Sequence, residues 1–246
     1  MRSAGAGTAP VLKTMKKGLR RIYFEVSPTY ELVNHLMTLG MDVLWRRKAA
    51  GTATMEGGLR WMDMCSGTGE MAAYLARRAP DGAFIVAADF SLPMLRKAAA
   101  KPDLHSTAFV LTDAGRLPFH DSTFDLITTS FATRNLNSTR DVLIQRFTEF
   151  NRVLSPGARY VGLETSQPPS KLIRRLFHLY VKLSVIPIGY AISGSRSSYS
   201  YLSSTMRSFY SAPELADILR EAGFEDVHYE RLMFGAAAIH TAVKKA

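Results

Sequence analysis

The feature that most constrains this chain is a glycine loop set between a buried apolar run and a helical pattern. Leu59 to Met64 reads as a strand, Asp63-Met64-Cys65-Ser66-Gly67-Thr68-Gly69-Glu70 follows, and Glu70 to Arg78 has helical spacing. Glycines there let the backbone turn tightly and approach a ligand, and open α/β sheets bind their ligands beyond the carboxyl ends of their strands. The alternation then repeats. Strands are predicted over Ala83–Ala88, Thr107–Leu111, Phe124–Ser130 and Ala158–Glu164, with helices over Pro93–Ala100 and Arg140–Leu154 and a sharp stop at Pro156-Gly157. Strands and helices in turn imply βαβ crossovers, hence a doubly wound α/β fold with a mostly parallel sheet. Helix Pro213–Ala222 and strands Val227–Leu232 and Ala237–Val243 close the pattern as a terminal hairpin, making seven strands.

Two segments stand outside this core. Apolar residues at helical spacing between Ile22 and Lys48 (Leu32, Leu36, Leu39, Val43), broken near Pro28 and Gly40, predict two short N-terminal helices. Residues 171–210 read as an insertion, a basic amphipathic helix over Lys171–Leu183 followed by a Ser- and Tyr-rich stretch. We expect a single domain over 22–246 behind a basic tail at 1–21, since α/β domains of this length commonly stay undivided.

The chain is 47% hydrophobic and 21% charged, which excludes wholesale disorder, and no stretch of about 18 residues reads as apolar enough to span a bilayer. A single cysteine, Cys65, excludes an intramolecular disulfide and multi-cysteine metal sites; no metal is expected, and a reducing compartment fits. Cys65 lacks an activating base nearby in sequence and reads as a small packing residue rather than a nucleophile. The first 24 residues carry six basic side chains and no acid, which leaves an organelle transit peptide open beside a cytoplasmic location. The net charge of +10 raises the question of an anionic partner, membrane surface or nucleic acid.

The loop also satisfies the dinucleotide pattern G-x-G-x-x-A, with an acid, Asp89, twenty residues after Gly69. Two details favour S-adenosylmethionine. Asp63 is placed to face a cationic amino group, and Glu70 opens the helix whose N-terminus would have to receive a pyrophosphate, where an anion is costly. Asp89 at the end of the second strand is suited to accept both ribose hydroxyls, with Phe90 beside it. Asp113, ending the third strand with Ala114 next to it, is suited to the adenine amino group; its alternative is an Asx-type turn cap.

Several segments resemble the ubiquinone and menaquinone C-methyltransferase family. They are Phe24-Glu25-Val26-Ser27-Pro28-Thr29-Tyr30, Leu117-Pro118-Phe119 with Ser122-Thr123-Phe124-Asp125, Ser130-Phe131-Ala132-Thr133-Arg134-Asn135, Arg152-Val153-Leu154-Ser155-Pro156-Gly157, Leu163-Glu164-Thr165-Ser166 and Tyr199-Ser200-Tyr201-Leu202. The resemblance runs from about Ile22 to Val243. It implies a class I, Rossmann-like fold and methyl transfer from S-adenosylmethionine to a ring carbon of a prenylated benzoquinol or naphthoquinol. Cofactor positions then fall on Asp63, Gly67, Thr68, Gly69, Asp89, Phe90, Asp113, Ala114 and Ser130. Arg134, Asn135 and Tyr30 become the candidate catalytic residues, and Tyr201 and His240 the candidate substrate contacts. Departures from the family pattern include Glu31, Val33, Cys65-Ser66, Ala132-Thr133 and Ala158; the Ala132-Thr133 change lies beside the expected ring site and bears on substrate identity.

Carbon methylation needs a ring made nucleophilic by a hydroxyl that ionises, and a methyl group held in line. Arg134 and Asn135, just past the fourth strand, are placed to stabilise the oxyanion or to order the water that takes the proton; an arginine does not itself act as base. His240 lies in an apolar strand, where a structural role competes with substrate contact.

Between Glu164 and Glu214, residues 165–213 contain no acid, while Lys171, Arg174, Arg175 and Lys182 accompany an apolar helix face. That pattern suits either docking on an anionic bilayer or a lid or dimer-packing helix with a solvated basic face. Four other functions compete: methylation of another small aromatic or lipid substrate, an RNA or DNA methyltransferase, an NAD-linked oxidoreductase and a non-catalytic scaffold. Thr128-Thr129-Ser130-Phe131-Ala132 stands where base-amino methylation would want an Asn/Asp-Pro-Pro-aromatic tetrad, so nucleic acid is not expected as partner.

Overall fold

Strand β1 (Arg60–Met64) shows why the sheet is covered on both sides: Trp61 packs into one core while its neighbours Met62 and Met64 pack into another, the two-residue period of extended backbone. A computed structural model describes residues 29–55 and 58–246; the expected 1–21 tail lies outside the described residues. The other strands are β2 (Phe84–Asp89), β3 (Ala108–Leu111), β4 (Phe124–Ser130), β5 (Leu154–Thr165), β6 (Phe224–Leu232) and β7 (Ala237–Lys244). They form one sheet in the order β3-β2-β1-β4-β5-β7-β6, parallel from β3 to β5, with β7 antiparallel to both its neighbours. The expected seven-stranded, doubly wound fold is therefore present.

The helices are α1 (Tyr30–Thr38), α2 (Met41–Ala53), α3 (Glu70–Ala76), α4 (Leu92–Ala99), α5 (Thr133–Leu136), α6 (Arg140–Val153), α7 (Lys171–Ser193), α8 (Arg196–Ser208) and α9 (Ala212–Glu221). Leu143, Phe147, Phe150 and Val153 of α6 join Leu215, Ile218 and Leu219 of α9 in one core with Tyr160 and Phe224; Ala49, Ala50 and Ala53 of α2 join Met71 and Leu75 of α3 in the other. In α9, Ser211 and Glu214 form a capping box, satisfying the first N–H groups.

Three expectations change. Pro156-Gly157 does not separate helix from strand: β5 begins at Leu154, and the pairing with β4 jumps from Phe124↔Leu154 to Leu126↔Arg159, so these residues bulge out within the strand. The Ser- and Tyr-rich stretch is the helix α8. And α7 extends to Ser193, past an internal Pro187, which makes it long and apolar enough to cross a membrane by length and composition, contrary to the reading of the sequence. Its Val181 and Val185 pack instead with Val33 and Met37 of α1 and Tyr199 of α8.

The chain runs β1→β2→β3 to one side and then places β4 on the other side of β1. The carboxyl ends of β1 and β4 thus flank the topological switch point, where open α/β sheets form their ligand crevice.

Candidate active site

A cavity of about 110 Å³ occupies that crevice. Its walls include Gly67 from the loop after β1, Asp89 and Phe90 from the end of β2, Asp113 and Ala114 from the end of β3, Ser130 from β4, and Tyr30, Asn135 and Tyr201 from three helices. Nine of the predicted positions therefore line one space, although they span 172 positions of chain from Tyr30 to Tyr201.

Within the glycine loop the two glycines do different jobs. Gly67 (φ +55°) lines the cavity, and a Cβ there would point into open space. Its N–H donates to Asp89 Oδ2 (2.9 Å) while the Ser91 N–H donates to Oδ1 (2.8 Å), which fixes the carboxylate at the cavity wall. Burial pushes the Asp89 pKa up, and the backbone N–H groups oppose that shift. Gly69 (φ +80°) does not line the cavity. A Cβ there would lie 2.7 Å from Leu104 and 2.8 Å from Ala98, so this glycine lets the loop pack on α4 and the turn after it. Thr68 is buried away from the cavity and hydrogen-bonds Glu31, tying α1 to the loop.

Asp63 lies behind the cavity wall, fully buried. Thr128 donates to its Oδ1 (2.8 Å), and Oδ2 has no partner among the described residues. Burial pushes its pKa up to about 7. Asp113 accepts from the Gly115 N–H and from Arg146 Nη1, both at 2.9 Å. Arg146 is a cavity residue that sequence reasoning missed, 33 positions from its partner. Cys65 also lines the cavity, with its thiol pKa raised by burial and by Asp89, Asp63 and Asp113, so it is not an activated nucleophile.

A second cavity of about 400 Å³ adjoins the first. It is walled largely by apolar side chains, among them Met37, Trp45, Leu176, Phe177, Leu202 and Met206, and Phe131 belongs to both cavities. Phe131 holds φ +54°, a left-handed conformation uncommon for an aromatic residue. Arg134 lines this second cavity rather than the first. It is 5% exposed and paired with Glu164, 1% exposed, through Nη1 to Oε1 (2.6 Å). Tyr30 lines the first cavity: burial raises its hydroxyl pKa, while the Arg134 and Arg46 charges lower it.

His240 does not belong to either cavity. Its Nε2 donates to the Ala212 carbonyl (2.9 Å) beneath α9, its ring lies 5.7 Å from that of Tyr229, and burial pushes its pKa down to about 4. The expected substrate contact at His240 is thus replaced by a structural one, because β7 is an interior strand covered by α9.

His35, Asp42 and Glu70 bring ligand atoms within 4.8 Å of one another, but the Arg46 guanidinium sits in the same cluster and supplies its positive charge.

The residues fit S-adenosylmethionine. Gly67 leaves open space for a ligand, Asp89 and Asp113 stand at the ends of adjacent strands, and Asp63 keeps an unpaired buried oxygen behind the loop. Glu70 at the α3 N-terminus opposes a pyrophosphate.

Residues 11–244 match the model of the ubiE/COQ5 methyltransferase family. The chain is 35% identical over 227 residues to the ubiquinone/menaquinone biosynthesis C-methyltransferase UbiE of Desulfotalea psychrophila, covering 92% of this chain and 90% of that one. It is 36% identical to the demethylmenaquinone methyltransferase of Lactiplantibacillus plantarum (92% and 95% covered) and 38% identical to that of Thermus thermophilus (89% and 98% covered). Among solved structures, a SAM-dependent methyltransferase from Aquifex aeolicus shares the fold, with a TM-score of 0.57 at 18% identity, covering 80% of this chain and 88% of that one.

Proposed function

The chain belongs to the ubiE/COQ5 methyltransferase family and is an S-adenosylmethionine-dependent C-methyltransferase of menaquinone or ubiquinone biosynthesis, and we propose that its acceptor is a prenylated naphthoquinol. The observation that carries this reading is the pairing of a carboxylate-lined cavity at the strand ends with an apolar one across Phe131. The first suits a nucleoside; the second suits a ring bearing an isoprenoid chain. The relatives from L. plantarum and T. thermophilus are named for the naphthoquinone substrate, which favours that headgroup.

S-adenosylmethionine supplies a methyl group on a cationic sulfur. The chain's own residues hold and orient. Asp89 accepts the ribose hydroxyls, Asp113 the adenine amino group, and the Asp63 charge faces the ammonium from behind the loop, with Gly67, Thr68, Gly69, Phe90, Ala114 and Ser130 shaping the site. On the acceptor side, a ring hydroxyl must lose its proton as the adjacent carbon becomes nucleophilic. Arg134, held by Glu164, supplies positive charge from the second cavity, and Asn135 and Tyr30 supply hydrogen bonds from the first, Asn135 ordering the water that removes the proton. Tyr201, brought into the first cavity by α8, contacts the ring.

We further read α7 as the part that meets the inner face of an anionic membrane, with the enzyme otherwise in the cytoplasm. Leu172, Leu176, Leu179 and Leu183 form an exposed stripe at helical spacing, flanked by exposed Lys171, Arg175 and Lys182, and Leu176 also lines the apolar cavity. An isoprenoid chain thereby has a path from lipid to the ring site.

The deciding experiment incubates the protein with labelled S-adenosylmethionine and either demethylmenaquinol or a polyprenyl benzoquinol under reducing conditions, and identifies the labelled product by mass. Methylation of the naphthoquinol supports the reading. Exclusive methylation of the benzoquinol moves the assignment to ubiquinone precursors, and methylation of neither rejects it.

A further inference from the structure

Arg46 was not singled out by sequence, yet it occupies the wall between the two cavities. It is 4% exposed and lines the apolar cavity. Its Nε donates to Ser130 Oγ (3.1 Å), a residue of the cofactor cavity. Its Nη1 pairs with Asp42 and lies 3.0 Å from Glu70 Oε2, and His35 in turn bonds Asp42 through Nδ1 at 2.7 Å. Its guanidinium carbon sits 5.1 Å from the centroid of Phe131, the residue both cavities share. Nε and Nη1 are thus committed to protein, and Nη2 has no hydrogen-bond partner among the described residues.

This arrangement leaves one donor of the guanidinium accessible to a ligand: Nη2 is unpaired, yet it is not among the fully buried unpaired atoms of the described residues. Here Asp42, Glu70 and Ser130 clamp the plane of the group from two sides and stack it on Phe131. The side chain therefore has little freedom to turn Nη2 elsewhere. The remaining donor belongs to a side chain in the wall of a largely apolar chamber. Arg134 lines the same chamber.

A para-quinol carries two ring oxygens on opposite sides. Resting on the proposed acceptor, we infer that Arg46 is a second anchor for the ring: Nη2 donates to one oxygen while the Arg134 side of the wall serves the other. Asp42, Glu70 and His35 are positioning residues that hold the guanidinium in plane. The two anchors fix which ring edge meets the methyl group, a geometric demand that an apolar chamber alone does not meet.

The test compares binding of 1,4-naphthalenediol and 1-naphthol, under reducing conditions with S-adenosylhomocysteine present, in the wild type and in Arg46→Met and Arg46→Lys. With both anchors present the diol binds about tenfold or more tighter than the mono-ol, the value of one hydrogen bond to a charged donor. In Arg46→Met that advantage disappears, because a mono-ol already uses the single anchor that is left, so its own affinity changes less than about threefold. Arg46→Lys keeps the charge in the Asp42-Glu70 pocket but withdraws the fork, and it loses the same advantage. Retention of the diol preference in either variant, or an equal fall for both ligands, overturns the assignment. If the wild type binds and methylates no quinol at all, the acceptor reading fails first, which is a distinguishable result.

Discussion

Glu164→Gln isolates what the buried ion pair does for Arg134. The carboxylate accepts four hydrogen bonds: Oε1 from Arg134 Nη1 (2.6 Å), the Thr165 N–H (2.7 Å) and the Thr165 hydroxyl (2.9 Å), and Oε2 from the Arg134 N–H (3.1 Å). The amide oxygen of glutamine can keep the first three. Its NH₂ group then faces the Arg134 N–H, donor against donor, which leaves a buried N–H unsatisfied at about 1–3 kcal/mol. The guanidinium also loses its counter-charge in a site where both partners are almost fully buried, and removing one member of such a pair costs about 3–5 kcal/mol in all. For a domain of this size each kcal/mol is about 2–4 °C, so we expect the melting temperature to fall by roughly 10 °C. Urea unfolding followed by circular dichroism gives the free energy. The double variant Arg134→Met/Glu164→Leu should regain most of the stability, since an apolar pair of similar volume replaces the ion pair, while methyl transfer is lost. A loss under about 1 kcal/mol for Glu164→Gln would show that Arg134 does not depend on Glu164 and would remove the pair from the description of the site.

Three further outcomes follow from the geometry. Asp89→Ala should weaken S-adenosylmethionine binding by about 2–3 kcal/mol by calorimetry, since the ribose loses a charged acceptor; unchanged affinity removes Asp89 from the site. His240 has a folded pKa depressed from 6.5 to about 4, so the unfolded chain takes up its proton first: stability is intact above about pH 6.5 and falls by about 3 kcal/mol as pH drops towards 4. Asp63, with its pKa raised to about 7, acts in the opposite sense, losing stability as pH rises from about 4 to 7. The difference between wild type and His240→Gln cancels the Asp63 contribution, and a difference that is flat with pH over 4–6.5 would contradict the buried neutral histidine. Changing Lys171, Arg175 and Lys182 to Gln should remove about 3 kcal/mol of attraction to anionic vesicles in a sedimentation assay, with activity on a short-chain soluble quinol retained; Arg174 is left in place because its Nε holds the Pro168 carbonyl at 2.8 Å. Undiminished sedimentation would make α7 a lid.

What the sequence disclosed was what is local. The seven strands show as apolar runs, and the glycine loop and acids at the ends of β1, β2 and β3, proposed to hold the cofactor, show because a turn and an acid at a strand's end are encoded within a few residues. The helix α8 was hidden by composition: serine and tyrosine have weak helix propensity, and the segment is helical because Tyr199 packs so closely on Gly189 that a Cβ there would lie 2.1 Å from the ring. Arg146 and Arg46 were invisible for another reason. Their partners, Asp113 and Ser130, lie 33 and 84 positions away, and no short-range pattern reports a contact made by the winding of the sheet. His240 shows the converse, a residue with chemical potential that the burial of β7 removes from play.

Phe131 is a party wall: it lines both the cavity at the strand ends and the apolar cavity beside it, the chambers proposed for donor and acceptor. A shift that widens one side takes room from the other, so occupancy on either side changes the work needed to fill its neighbour. Thermodynamic linkage makes that influence equal in both directions: whatever factor the methyl donor imposes on acceptor affinity, the acceptor imposes on the donor. The left-handed backbone of Phe131, which costs an aromatic residue of order 1–3 kcal/mol, keeps that shared surface where both sides feel it.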